Sequence, residues 1–271
     1  MFGLIKTWKA LEAKGIMGIN RRNADYVLKY NKRNLYPIVD DKIITKERAI
    51  EAGIDVPEMY GIIETEKDID KLKDIVKDHV DFVVKPAQGA GGDGILVIAD
   101  RFEGRYRTVS GKIMTHDEIE HQISNILTGL YSLGGHRDRA LIEYRVTPDP
   151  IFKSISYEGV PDIRIIVLMG YPVMAMLRLP TRQSGGKANL HQGAIGVGVD
   201  MVLDQDKGPL ILELNARPGL NIQIANDCGL THRTQAVENR IEELKAQGIQ
   251  ETPEERVRFA QELFGHIPSH A

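Results

Sequence analysis

The chain has 271 residues, 42% hydrophobic and 27% charged, an ordinary balance for a globular protein with a full core. Those figures exclude collagen-like, disordered and disulfide-scaffold classes. With 38 acidic and 35 basic residues the net charge is −3, so no global field draws the chain toward nucleic acid or an anionic membrane.

A lone cysteine, Cys228, excludes an internal disulfide and points to a reducing, cytoplasmic setting. Its thiol reads as a small buried hydrophobe rather than a nucleophile. The longest apolar run, residues 165–177, falls short of the about 20 residues that cross a bilayer. No membrane span is expected.

In chain order, the first forty residues read as helical, with Leu4, Trp8 and Leu11 on one face. Arg21, Arg22, Lys29, Lys32 and Arg33 make this stretch basic, either as a solvated face or as a surface for anions. Thr45 is the expected N-cap of a short helix stopped at Gly53, and Pro57 then enforces extension. Thr65 with Asp68 opens a helical stretch carrying Ile69, Leu72 and Val76. Two β-rich runs, 80–85 and 95–99, flank a glycine-rich loop. Thr115 and Glu118 form a capping box for a helix reaching about Tyr131. Strands are expected at 140–146, 163–169, 172–179, 197–203 and 210–214. Thr252, Pro253 and Glu255 start a helix in the tail. This order predicts an α+β enzyme with antiparallel sheets.

Two motifs mislead. Gly89, Gly91 and Gly94 match G-x-G-x-x-G, but the loop runs into Ile95-Leu96-Val97-Ile98, a strand rather than the helix a dinucleotide fold requires. His136-Arg137-Asp138 imitates a kinase catalytic loop, yet Glu143 stands where that pattern needs Asn. The triplet reads as surface charge.

What remains is a strand ending in Lys85, a loop over residues 88–94 with four glycines, and a second strand. Glycine lets backbone N–H groups approach phosphate oxygens, and Lys85 adds a cation. A tight hairpin with a solvated lysine is the plainer alternative. Farther on, Glu213 and Asn215 share a strand face with Asp200 upstream. Two carboxylates and an amide oxygen make a hard, oxygen-only set suited to Mg²⁺.

These residues resemble the ATP-grasp superfamily, and most closely its glutamate-ligase-like branch. The resemblance spans roughly residues 40–230. Its carriers are Asp41-Lys42 before Ala52-Gly53-Ile54-Asp55-Val56-Pro57, Val84-Lys85-Pro86, Ile142-Glu143-Tyr144, Asp162-Ile163-Arg164, Asn189-Leu190-His191-Gln192-Gly193 and Glu213-Leu214-Asn215-Ala216-Arg217-Pro218-Gly219. It implies two α+β subdomains with antiparallel sheets clasping ATP. Lys42 and Lys85 are then the phosphate-binding lysines, and Gln88, Gly89, Gly91, Gly92 and Gly94 belong to the phosphate lid. Glu143 receives the adenine amino group, Tyr144 and Arg145 offer hinge backbone, and Asp162 takes the ribose. Asp200, Glu213 and Asn215 hold magnesium. Arg164, Arg178, Asn189 and Arg217 handle acyl phosphate and carboxylate substrate, with Arg182, Ser184, Lys187 and His191 as weaker members.

The implied divisions are a helical segment 1–40, a first ATP-grasp part 41–79, a lid subdomain 80–145, a metal and substrate subdomain 146–230 and a helical tail 231–271. The implied reaction is ATP- and Mg²⁺-dependent carboxylate–amine ligation through an acyl phosphate, with an amino acid such as glutamate, a peptide or a small carboxylate as substrate. A small-molecule kinase, or a nucleotide-binding protein without turnover, is the alternative. His191 and Asp200 lie nine residues apart, shorter than related ligases, which predicts a skipped segment near residues 196–199.

Overall fold

The computed structural model describes residues 2–89, 91–132, 134–156, 159–180 and 197–265. Ten strands are present among them. They are β1 (Met59–Ile63), β2 (Phe82–Pro86), β3 (Leu96–Phe102), β4 (Arg105–Thr108), β5 (Ile113–Met114), β6 (Ala140–Glu143), β7 (Asp162–Leu168), β8 (Tyr171–Arg178), β9 (Val197–Asp204) and β10 (Gly208–Asn215). They build a six-stranded sheet, β1-β6-β2-β3-β4-β5, and a four-stranded sheet, β10-β9-β7-β8. All pairings are antiparallel, the α+β arrangement expected. The six-stranded sheet joins β1 to strands from the glycine-loop region.

One face of the six-stranded sheet packs against the His116–Leu127 helix. Its Ile119, Ile123 and Ile126 recur at helical spacing and are fully buried with Phe82, Val84, Ile98 and Ile142. The capping boxes at Thr115 and Thr65 form as expected. The His116–Leu127 helix stops before Tyr131, because Gly129 takes a left-handed turn at φ +85°.

The four-stranded sheet buries Ile166, Leu168, Tyr171, Val173, Met174 and Met176 against Met17, Tyr26, Leu230 and Val237. The N-terminal segment and the tail helices therefore share one core. Tyr26 bonds Thr234 at 2.8 Å, and Gln223 accepts from the Met17 N–H at 2.8 Å. Cys228 is half-buried at the margin of this core.

One expectation needs correction here. The Lys42–Glu51 helix begins at Asp41, not Thr45, because the Asp41 carboxylate accepts from the Ile43 and Ile44 N–H groups. Thr45 lies within the helix and donates to the Ile38 carbonyl. The Phe2–Ala13 helix forms, yet Trp8 and Leu11 remain exposed. β9 runs from Val197 and pairs continuously with β7; Gly196, where the expected skip begins, lies outside the described residues. No helix among the described residues is long and apolar enough to cross a membrane.

The Lys42–Glu51 helix joins the two sheets. Ile43 packs on Ala87 and Leu141 of the six-stranded side, while the helix also lies against β10. The Ile211 N–H donates to the Asp55 carbonyl at 3.0 Å, extending the connection.

Candidate nucleotide and substrate site

The glycine loop is rooted by two buried carboxylates. Asp138 accepts from the Gln88 N–H at 3.0 and 3.1 Å, from Ser132 Oγ at 2.9 Å and from the Arg139 N–H at 2.7 Å. Asp41 accepts from Gln88 Nε2 at 3.2 Å and Arg139 Nη2 at 2.6 Å. Asp138 is thus not surface charge, as the His136-Arg137-Asp138 triplet suggested. It is buried because three donors at the loop root need one acceptor. Gln88 spends its side chain on Asp41.

Beyond the root, Gly91, Gly92 and Gly94 have φ of +69°, +78° and +77°, a region that excludes most side chains. At Gly94 a Cβ would also stand 2.5 Å from the Tyr131 ring. Both constraints keep the backbone bare, as an anion cradle requires.

Cations converge beneath the loop. Lys42 donates to the Gly89 carbonyl at 2.6 Å and stands 3.8 Å from Glu213 Oε2. Burial pushes the Lys42 ammonium down, against the pull of Glu213. Lys85 pairs with Glu143 Oε1 at 2.5 Å. The other Glu143 oxygen stands 2.9 Å from Lys46, which is fully buried and also donates to the Pro57 carbonyl at 2.8 Å. Burial pushes Lys46 down to about 8, against the attraction of Glu143. Sequence reading missed Lys46. The signal was available, since residues four apart share a helix face and Lys42 is one turn away.

Glu143 therefore ties two lysines together. The Tyr144 N–H donates to the Glu58 carbonyl at 2.8 Å, and its hydroxyl reaches Asp204 at 3.2 Å. The Arg145 side chain pairs with Asp81 at 2.7 Å.

On the four-stranded sheet, alternation puts Asp162 and Arg164 on one face of β7, opposite Arg178 and Asp200. Arg164 forks onto Asp200 at 2.6 and 2.5 Å. Arg178 forks onto Asp162 and reaches Asp200 at 3.0 Å. Burial works to raise Asp200, but the two guanidiniums outweigh it and hold its carboxyl below the usual range. Asp162 goes the other way. Burial pushes it up to about 6 despite Arg178. Glu213 pairs with Asp200 in register and is partly exposed toward Lys42. Asn215 Oδ1 accepts from the Arg217 N–H at 2.9 Å, and Arg217 itself is exposed over the Tyr36 ring. Among the described residues, no group of three or more His, Cys, Asp or Glu converges on one point. Asn189, Arg182, Ser184, Lys187 and His191 lie outside the described residues.

Lys42, Gly89, Gly91, Gly92, Asp93 and Glu213 line one small cavity. Glycine-loop residues and Glu213, far apart in the chain, thus face a common space.

Solved structures similar to the chain include D-cycloserine synthetase, at 16% identity over 76% of this chain and 72% of that one, with TM-score 0.46. The D-alanyl-alanine synthetase A of Vibrio cholerae gives 14% identity, 68% and 56% coverage and TM-score 0.44. The biotin carboxylase domain of the Hydrogenobacter thermophilus 2-oxoglutarate carboxylase gives 14%, 74% and 45%, and 0.47. The chain thus spans little more than half of the second structure and under half of the third. No curated protein matches the sequence. The model of the sugar-transfer associated ATP-grasp family matches residues 21–202 and 197–239. By that match, over most of its length, the chain belongs to the sugar-transfer associated ATP-grasp family.

Proposed function

We propose that the chain is an ATP- and Mg²⁺-dependent carboxylate–amine ligase that works through an acyl phosphate. The observation that carries this reading is the shared cavity of Lys42, the glycine loop and Glu213. Lys42 and Lys85 bind triphosphate oxygens, and the bare backbone at Gly91, Gly92 and Gly94 brings N–H groups to the same charge. Glu143 holds Lys85 in position from behind.

The donor set fits a hard divalent cation. Glu213 and Asn215 would hold it through their oxygens, with Asp200 paired to Arg164 and Arg178 beside them. When bound, Mg²⁺ neutralises charge on the transferring phosphoryl group. Nothing covalent is asked of the protein. Its residues bind and orient a carboxylate and an amine, and the phosphate leaves.

Phosphorus NMR with Mg-ATP tests the reading, using pooled amino acids, peptides, small carboxylic acids and amino sugars. Amino sugars join the panel because the family is described as associated with sugar transfer. ADP and free phosphate, formed only with a carboxylate and an amine together, are expected. A new phosphoester signal would make the protein a kinase instead. A Lys85→Ala variant is expected to lose at least tenfold in nucleotide affinity or turnover, in keeping with the loss of a charge-assisted contact.

A further inference from the structure

The first forty residues carry eight lysines and arginines against three acids, a local charge of +5 in a chain of net −3. None of these cations lines the cavity beneath the glycine loop. Of the eight, only Arg22 is buried. Lys14, Arg21 and Lys29 pair with Asp227, Asp25 and Glu238. No acid stands within ion-pair distance of Lys6, Lys9, Lys32 or Arg33 among the described residues. The same stretch exposes apolar surface. Trp8 is 69% exposed, and Leu11, Ile19, Leu28 and Leu35 are exposed as well. Apolar surface rimmed by charge marks a face that meets something outside the fold.

The Phe2–Ala13 helix concentrates both features. Residues 6–14 are all exposed, so no side chain over that length is buried in the body. Trp8 and Leu11, three residues apart, share one helix face, and Lys6 and Lys9 lie off it. The C-terminal end of the helix is fixed. The Gly229 and Thr231 N–H groups donate to the Lys14 and Gly15 carbonyls, at 3.1 and 3.0 Å. A Cβ on Gly229 would stand 2.0 Å from the Gly15 carbonyl, so the two backbones meet without room for a side chain. The helix thus has a rigid root, while its Trp8 face is open to solvent.

We infer that this N-terminal helix docks the protein on a bilayer surface that bears anionic lipid headgroups. Trp8 enters the headgroup layer, where an indole buries its rings and keeps its N–H wet. Leu11 enters beside it. Lys6 and Lys9, with Lys32 and Arg33 on the same basic stretch, supply the attraction to the headgroups. At 12 residues the helix is too short to span a bilayer and lies along its surface. A nucleic acid would answer the cations and leave the apolar face in water. Trp8 and Leu11 together offer far less than the about 800 Å² per partner of a stable protein interface, whereas a charged bilayer adds attraction from every nearby cation. This inference is independent of the ligase reading.

The test uses the full chain, which contains one tryptophan, so its fluorescence reports Trp8 alone. Vesicles of phosphatidylcholine mixed equally with phosphatidylglycerol are expected to shift the emission to the blue and to carry the protein into the pellet on sedimentation. Vesicles of phosphatidylcholine alone are expected to do neither. The double variant Lys6→Glu, Lys9→Glu is expected to lose at least tenfold in affinity for the anionic vesicles, at about fivefold per cation near the surface. Trp8→Ala is expected to lose about tenfold in the sedimentation assay. These side chains are exposed, so both variants are expected to keep the wild-type melting temperature. An emission unmoved by anionic vesicles, equal binding to both vesicle types, or binding that survives the charge reversal overturns the proposal. A blue shift with polyaspartate or poly-uridine RNA but none with vesicles also overturns it, and assigns the face to an acidic macromolecule instead.

Discussion

Lys46→Met removes a fully buried ammonium and keeps the volume of its stem. In the unfolded chain this lysine titrates near 10.5, and in the folded protein burial brings it down to about 8. Between those values the unfolded state binds a proton that the folded state has released, so stability rises with pH across that window. Below about 8 both states are charged, and above about 10.5 both are neutral, so the contribution is flat outside it. At 1.36 kcal/mol per pH unit, the gain is about 3 kcal/mol from pH 8 to 10.5. Because Lys46 has no exposed surface, solvent screening does not reduce this figure. Urea unfolding of wild type and Lys46→Met at intervals from pH 7 to 10.5 isolates the effect from other titrating groups. Wild type is expected to gain on the variant steadily through the window. Parallel curves would refute the assignment of Lys46 as a buried, strained cation held by Glu143.

Other outcomes follow from the same geometry. Gly94→Ala combines a left-handed φ with a Cβ at 2.5 Å from the Tyr131 ring, and is expected to cost about 1–3 kcal/mol and to weaken nucleotide binding; an unchanged melting temperature and affinity would show that the loop is free to rearrange. Asp138→Ala leaves the Gln88 and Arg139 N–H groups and the Ser132 hydroxyl without their acceptor. Its expected loss is about 2–4 kcal/mol in urea unfolding, and a loss below about 0.5 kcal/mol would remove Asp138 as the anchor of the loop. Glu213→Gln is expected to raise the Mg²⁺ concentration for half-maximal nucleotide binding about tenfold, with metal-free nucleotide binding nearly unchanged. An unaltered Mg²⁺ response would take Glu213 out of the metal set.

Much of the fold was legible where local physics dominates. The capping boxes at Thr65, Thr115 and Thr252 form as the spacing of hydroxyl and acid requires. The strands around the glycine loop, and those near 163–178 and 197–214, follow from β-branched runs bounded by polar turns. Short strands were not legible. β4 and β5 are too brief to carry a pattern, and β1, interrupted by Gly61, pairs only because β6 supplies its hydrogen bonds. The Asp41 cap was missed because Thr45 is an equally good capping residue by type. Only the path of the chain decides which carboxylate or hydroxyl meets the first free N–H groups.

The sequence by itself determined an α+β chain with antiparallel sheets, a glycine-rich loop between two strands, and a strand that aligns Glu213 with Asn215. Each is a consequence of residues near one another in the chain. Tertiary structure decided which charges meet. It set Glu143 between Lys46 and Lys85, placed Asp200 under two arginines, and buried Asp138 at the loop root. Charge pairing depends on distance and burial across sheets and helices remote in sequence, and no local pattern encodes either.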